Sequence, residues 1–268
     1  MSMYSVQDQT GNFVSLSSHP LRIVSLVPSQ TELLYTLGLD RKVVGITRFC
    51  VHPHSWFTTR QRIGGTKQVN LVQLRALKPD LVLANKEENV KEQVEEIRTF
   101  CPVYTSNVRS LDDAMEMIQQ IGYLTGADKP ALQLIQAISN RFDQLPAGIL
   151  GNALYLIWKN PYMAAGNDTF INHMMQRAGF RNALQEARYP QLNVERIREL
   201  NPGYILLSSE PYPFTTRHLD ELGKLCPQSR LLLVYGEFFS WYGSRLLLAA
   251  DYFAELRESL FLKNNEIN

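Results

Sequence analysis

Cys50, His52 and His54 stand at alternate positions in one short stretch, Cys50-Val-His52-Pro-His54. A thiolate and an imidazole so close together are ligand types for zinc or another transition metal. Imidazole also changes charge near neutral pH, which is what an acid–base catalyst needs. The other histidines, His19, His173 and His218, are scattered, and no second cluster with ligand spacing exists. An ion held by His52 and Cys50 would therefore need further ligands from distant acids such as Glu210 or Glu237.

A second group of residues suggests binding rather than catalysis. Trp56, Trp158 and Trp241 all fall just beyond predicted strands, and Tyr162, Tyr189, Tyr212, Phe214, Phe238, Phe239 and Tyr242 occupy similar places. In parallel α/β sheets the loops at the carboxyl ends of strands form the ligand face. Aromatic side chains there offer broad apolar surface to a large flat ligand, with polar edges to orient it. Arg48, Lys67, Lys86, Glu87, Glu88, Lys159, Glu210, Glu237 and Arg245 share the same loops. Taken singly, such charges usually do no more than stay hydrated, and single aromatics usually pack against their own lobe.

The motifs of several enzyme classes are missing. Gly64-Gly-Thr-Lys67 has the letters of a phosphate loop in the wrong order, and no G-x-G-x-x-G, G-x-S-x-G or H-E-x-x-H occurs. A net charge of +1 without a basic stripe argues against a nucleic-acid partner. The apolar runs are too short for membrane insertion. The first ten residues show neither the basic nor the apolar region of a secretory signal, and Cys50, Cys101 and Cys226 are odd in number and far apart. These features predict a cytoplasmic protein, or an exported one whose leader has been removed.

The elements that must position these residues follow from a repeat. Leu71-Val-Gln-Leu-Arg-Ala-Leu-Lys-Pro-Asp-Leu-Val-Leu-Ala-Asn85 reads as an amphipathic helix, a proline turn and a buried strand. Val194-Glu-Arg-Ile-Arg-Glu-Leu-Asn-Pro-Gly-Tyr-Ile-Leu-Leu-Ser208 repeats that order 123 residues later. One such recurrence predicts two similar α/β lobes with mainly parallel sheets and a ligand cleft between them. The first lobe is expected over residues 1–125 and the second over 149–268, with a connecting helix in 126–148. Leu132, Ile135, Ile138, Phe142 and Leu145 give that helix one apolar face over Asp128–Leu145, and it carries Pro only in its first turn. It reads as a stiff connection rather than a flexible hinge. Ser29 with Glu32 three residues on is read as a capping box opening an earlier helix.

Arg22-Ile-Val-Ser-Leu-Val-Pro-Ser-Gln-Thr-Glu-Leu-Leu34, Ala76–Val82, Tyr162–Phe170, Tyr189–Glu195 and Trp241-Tyr-Gly-Ser-Arg245 resemble the helical-backbone (class III) substrate-binding proteins of ABC importers. The similarity runs from about Pro20 to Leu256 and is nearest to the cobalamin-binding members, beside heme- and ferric-siderophore-binding ones. It implies two lobes joined by one long helix, and a metal chelate held by aromatic and polar loop residues. By motif position the Thr47–Trp56 loop, Thr66-Lys67, Asn85–Glu88, Trp158–Tyr162, Tyr189-Pro190 and Phe238–Tyr242 would line the site, which points to Arg48, Cys50, His52, Trp56, Lys67, Lys86, Glu87, Trp158, Tyr162, Tyr189, Phe238, Phe239, Trp241 and Tyr242; the loop reading above adds Glu210, Tyr212 and Arg245. The resemblance also implies docking onto an ABC permease through one glutamate per lobe. Glu195 matches in the second lobe, whereas Lys91 holds the first-lobe position with Glu92 beside it.

The leading expectation is a monomeric, non-catalytic binding protein for cobalamin or a related corrinoid, with no intrinsic cofactor. It would serve an ABC-type uptake system or act as an intracellular counterpart of such a receptor. The alternatives are a receptor for a bare transition-metal ion, for heme or for a ferric siderophore, and an intracellular enzyme or chaperone acting on a chelate.

Overall fold

The computed structural model describes residues 4–265, and the chain divides into two α/β units. One comprises the residues up to Ile138 together with Trp241–Arg245; the other comprises Ser139–Ser240 and the residues from Leu246.

The first unit opens with an antiparallel hairpin of β1 (Tyr4–Gln7) and β2 (Phe13–Leu16). Then β3 (Ile23–Ser25), α1 (Pro28–Thr36), β4 (Val43–Ile46), α2 (His54–Thr59), β5 (Gln61–Arg62), α3 (Leu71–Ala76), β6 (Leu81–Asn85), α4 (Lys91–Arg98) and β7 (Val103–Ser106) follow in order. The five strands from β3 onward form a parallel sheet in the order β5-β4-β3-β6-β7. Every residue of β3, β6 and β7 is buried, as expected of strands in a parallel sheet whose two faces are covered by helices. α5 (Leu111–Thr125) starts at a capping box in which Ser110 and Asp113 satisfy each other's backbone N–H, and it ends at Gly126 in the left-handed region. α6 (Asp128–Asp143) is continuous across the boundary between the units.

The hairpin is missed at the sequence level, and its placement depends on Asp8. That carboxylate is buried, accepts from the Thr10 and Asn12 N–H groups of its own turn, and also accepts from Thr105 N and Arg98 Nη2, each at 3.1 Å. A polar turn residue thus ties the hairpin to the sheet edge.

The second unit contains β8 (Gly151–Trp158), β9 (Tyr162–Ala164), α7 (Phe170–Arg177), β10 (Phe180–Asn182), β11 (Gln191–Leu192), α8 (Val194–Leu200), β12 (Tyr204–Ser208), α9 (Thr216–Leu225), β13 (Arg230–Val234), α10 (Glu237–Ser240) and α11 (Leu246–Asn265). Its sheet runs β11-β9-β8-β12-β13, with β10 paired to the start of β8. β8, β10, β12 and β13 are parallel; β9 and β11 supply the antiparallel pairs.

The repeat is structural down to single residues. Asn70 caps α3 by accepting from Gln73 N, and Asn193 caps α8 by accepting from Arg196 N. Leu74 and Ile197 are the buried residues of the two helices. Lys78 and Asn201, each just before the proline, have φ of 46° and 42°, the left-handed conformation that ends a helix. The strands that follow, β6 and β12, are buried throughout and each lies between two parallel neighbours.

The expected capping box at Ser29 does not form. α1 begins two residues earlier than that cap requires, at Pro28, with Val27 at the N-cap and no side-chain cap. Proline is favoured at the first helical position because its φ is preset for a helix and its missing N–H would have had no intrahelical partner, and Glu32 is used in an ion pair with Arg245.

Burial raises the phenol pKa of Tyr104, Tyr155 and Tyr242; the neighbouring Glu88 carboxylate adds to the effect at Tyr242. Unfolded tyrosine ionises near pH 10, so their stabilising contribution is complete below that pH and is lost as pH rises above it. Melting temperature should be flat from about pH 8 to 9.5 and fall steeply beyond about pH 10. A profile still flat at pH 11 would show that these phenols ionise freely in the folded state.

Candidate functional site

In the first unit the loop after β4 carries Arg48, Cys50 and His52. Cys50 is fully buried; its sulfur is 3.1 Å from the Thr31 hydroxyl and 3.2 Å from that of Thr47, and burial pushes the thiol pKa up. A thiol kept protonated inside the core is poorly suited to metal ligation. Among the described residues no group of three His, Cys, Asp or Glu is arranged to hold an ion. Trp56 is likewise core rather than loop: it lies in α2, is 1% exposed, meets Tyr35 edge-on, and donates its indole N–H to Asp40. Its position after a strand misled because α2 turns the side chain inward.

Arg48 is exposed, with its guanidinium 5.0 Å from the Phe49 ring centroid. Lys67 donates to the Glu87 carbonyl at 2.6 Å. The loop after β6 is set by Asn85, whose side-chain oxygen accepts from the N–H groups of Glu87 and Glu88. Lys86, exposed beside them, lines a groove of about 730 Å³ with Gln9, Asn89 and Arg98.

Trp241, Tyr242 and Arg245 are expected from the sequence among the second lobe's loops, but they pack in the first unit. Tyr242 donates its hydroxyl proton to Glu88 Oε1 at 2.7 Å. Arg245 holds both carboxylate oxygens of Glu32 and covers the Trp241 ring at 4.7 Å. The Trp241 ring meets His52 edge-on at 5.8 Å. Trp241 and Tyr242 are buried, so both act first as packing residues.

In the second unit Trp158 closes the carboxyl end of β8 with 40% of its surface exposed. Tyr212, just beyond β12, meets it edge-on at 5.6 Å and in turn touches Phe214 at 4.8 Å and His218 at 5.5 Å. Lys159 is paired with Glu221, which Arg217 also holds. Half-buried Tyr162 has its phenol pKa raised by burial, with Lys159 opposing. Tyr189 lies under the Arg188 guanidinium at 5.9 Å. Glu210 accepts from the Ser240 hydroxyl at 2.8 Å. Phe238 packs on Tyr252 at 5.0 Å and is half-buried. Phe239 is not a surface residue: it is fully buried against Tyr155 and Phe253.

Glu92 and Glu195 are both exposed acids in the first turn of a helix, α4 and α8 respectively. Negative charge there is favoured by the helix dipole. Sequence reasoning gave no site role to His218, Glu221 or Glu32, the last being read only as part of a capping box. For His218 a signal was present, since Thr215-Thr-Arg-His218 has capping-box spacing with an imidazole in place of the usual carboxylate.

Residues 23–224 match the family described as periplasmic binding protein. The chain belongs to this family. It is therefore a solute-binding protein and not an enzyme. It is 30% identical over 216 residues, 75% of this chain and 68% of the relative, to an uncharacterized ABC transporter substrate-binding lipoprotein, YvrC, of Bacillus subtilis (strain 168). It is 25% identical over 208 residues, 73% of this chain and 74% of the relative, to a vitamin B12-binding protein of Vibrio vulnificus (strain YJ016). The fold is shared with the periplasmic vitamin B12 binding protein BtuF of Vibrio cholerae: TM-score 0.77, 19% identity, 90% of this chain and 98% of that one. It is also shared with the periplasmic heme-binding protein BhuT in complex with two hemes: TM-score 0.78, 21% identity, 91% and 100% coverage. Among the described residues no helix is long and apolar enough to cross a membrane.

Proposed function

We propose that this protein is the substrate-binding component of an ABC-type uptake system and takes a metal chelate, a corrinoid in first place. The observation that carries the reading is the partly exposed aromatic cluster of Trp158 and Tyr212 at the carboxyl ends of β8 and β12. Its rings offer apolar area with polar edges, the kind of surface on which a macrocyclic ligand can rest. Similarity to a relative named vitamin B12-binding protein favours a corrinoid over heme or a ferric siderophore. Exposed or half-buried Arg48, His52, Lys67, Lys86 and Glu87 in the first unit, and Tyr162, Tyr189, Glu210 and Phe238 in the second, are the further candidate contacts. Glu92 and Glu195 are the candidate permease-docking residues. The bare-ion reading is disfavoured by the buried, protonated state of Cys50.

Titration with cyanocobalamin and hydroxocobalamin should shift the corrin absorbance and raise the melting temperature. A ligand at about 100 times its Kd adds roughly 2.7 kcal/mol to stability. Heme in place of corrin would move the ligand to the alternative class. No response to corrinoids, hemin or a ferric siderophore at high micromolar concentration would refute chelate binding.

A further inference from the structure

The hydrogen-bond directions around Tyr212 are fixed by the chain itself. The backbone N–H of Thr215 points at His218 Nδ1 with an N–N distance of 2.9 Å. A backbone amide can only donate, so Nδ1 must be the bare, accepting nitrogen. The single proton of the neutral imidazole then sits on Nε2, which lies 3.2 Å from the Tyr212 hydroxyl oxygen. His218 therefore donates to Tyr212. Among the described residues no group accepts the phenolic proton of Tyr212 in return, since its hydroxyl's one hydrogen-bond contact is His218. Its own backbone N–H is directed to the Ile157 carbonyl, and its ring is held by Trp158, Phe214 and His218.

We propose that Tyr212 is a preset hydrogen-bond donor for an acceptor oxygen of the ligand, and that His218 is the positioning residue that sets this direction. The inference rests on the ligand reading given above, and it specifies the polarity of one contact. The ligand atom meeting Tyr212 is a carboxylate, carboxamide or hydroxamate oxygen. A group with only N–H to offer leaves the phenolic proton unused and is the poorer match. The charge nearby agrees with that assignment: the Lys159 ammonium interacts with both the Tyr162 and Tyr212 phenols, although Glu221 balances much of its charge. An oxygen bearing partial or full negative charge is accommodated beside such a cation.

Position 218 is the third residue of α9, where a capping box ordinarily carries Glu or Gln. This gives two variants that should both keep the helix start. In His218→Gln the side-chain oxygen accepts from Thr215 N–H while the amide NH2 still donates to Tyr212. In His218→Glu both oxygens are acceptors, so the Tyr212 proton is drawn inward and the outward donor is lost.

The first measurement needs no ligand. Two-bond 1H–15N correlation spectra of the free protein near pH 7.5 should show His218 in the Nε2–H tautomer, and an Nδ1–H tautomer would overturn the inference outright. The second uses cyanocobalamin, whose carboxamides offer acceptor oxygens, with hemin and its propionates as an alternative probe. Tyr212→Phe and His218→Glu should each weaken binding by roughly tenfold, about the contribution of one hydrogen bond. His218→Gln should stay within about threefold of wild type, and all three variants should melt near the wild-type temperature. Equal affinity for His218→Glu and His218→Gln would overturn the proposal. A wild-type protein that binds none of the probes would instead refute the chelate reading, and the tautomer would then decide the hydrogen-bond direction alone.

Discussion

Phe239→Ala is expected to cost about 3–5 kcal/mol of stability while leaving probe affinity unchanged in the molecules that remain folded. Phe239 is 0% exposed, with ring centroids 5.1 Å from Tyr155 and 4.8 Å from Phe253. Truncation to alanine removes most of an aromatic ring from this packing and leaves a cavity that the surrounding rings fill only in part. The cost is therefore the lost transfer free energy together with the unfilled volume. Phe238 is the internal control. It is half-buried, packs on Tyr252 and Tyr235, and should cost clearly less on truncation. Chemical denaturation of both variants, with cyanocobalamin or hemin titrated at low denaturant, separates the readings. Unchanged stability with lost affinity in Phe239→Ala would mean that its ring faces the ligand after all.

The contrast between these neighbours shows where the sequence is informative. Two-lobe architecture was legible because it rests on local rules that recur: the helix–proline–strand order of residues 71–85 and 194–208 reappears as α3–β6 and α8–β12. The asparagine caps at Asn70 and Asn193 follow the same rules and could have been read in advance. Side-chain direction is different. Position just beyond a strand does not say whether a ring turns outward, as Trp158 does, or inward, as Trp56 and Phe239 do. That choice is made by the next element: α2 carries Trp56 onto Tyr35 and Asp40, and α10 presses Phe239 onto Tyr155. The hairpin of β1 and β2 was missed because its placement comes from one buried carboxylate, Asp8, meeting Arg98 some ninety residues on. Tertiary partners at such separation leave no periodic trace. The same holds for Trp241–Arg245, whose neighbours in sequence belong to the second unit while its contacts lie in the first.

That segment is the basis of the second large effect. Trp241→Ala should destabilise the protein by about 3 kcal/mol or more and leave probe affinity within about threefold when measured well below the melting transition. The Trp241 ring is only 8% exposed, and Arg245 lies over it at 4.7 Å. Arg245 in turn holds Glu32, and both partners are largely buried, with side-chain exposures of 11% and 18%. Removing the indole thus does more than open a cavity: it withdraws the surface that shields a charge pair and fixes its geometry. Gly243 makes the same segment sensitive to bulk, because a Cβ there would lie 2.7 Å from the Ser29 carbonyl oxygen. Trp241→Phe should recover part of the loss, since a smaller ring still covers the guanidinium. Arg245→Leu should be costly in its own right, as it strands the Glu32 carboxylate. The decisive comparison is Trp241→Ala against wild type in urea melts and in cyanocobalamin titration. An unchanged melt with affinity lost would return Trp241 to the binding surface, and would mean that the packing of Trp241 with His52 and Arg245 contributes little to stability.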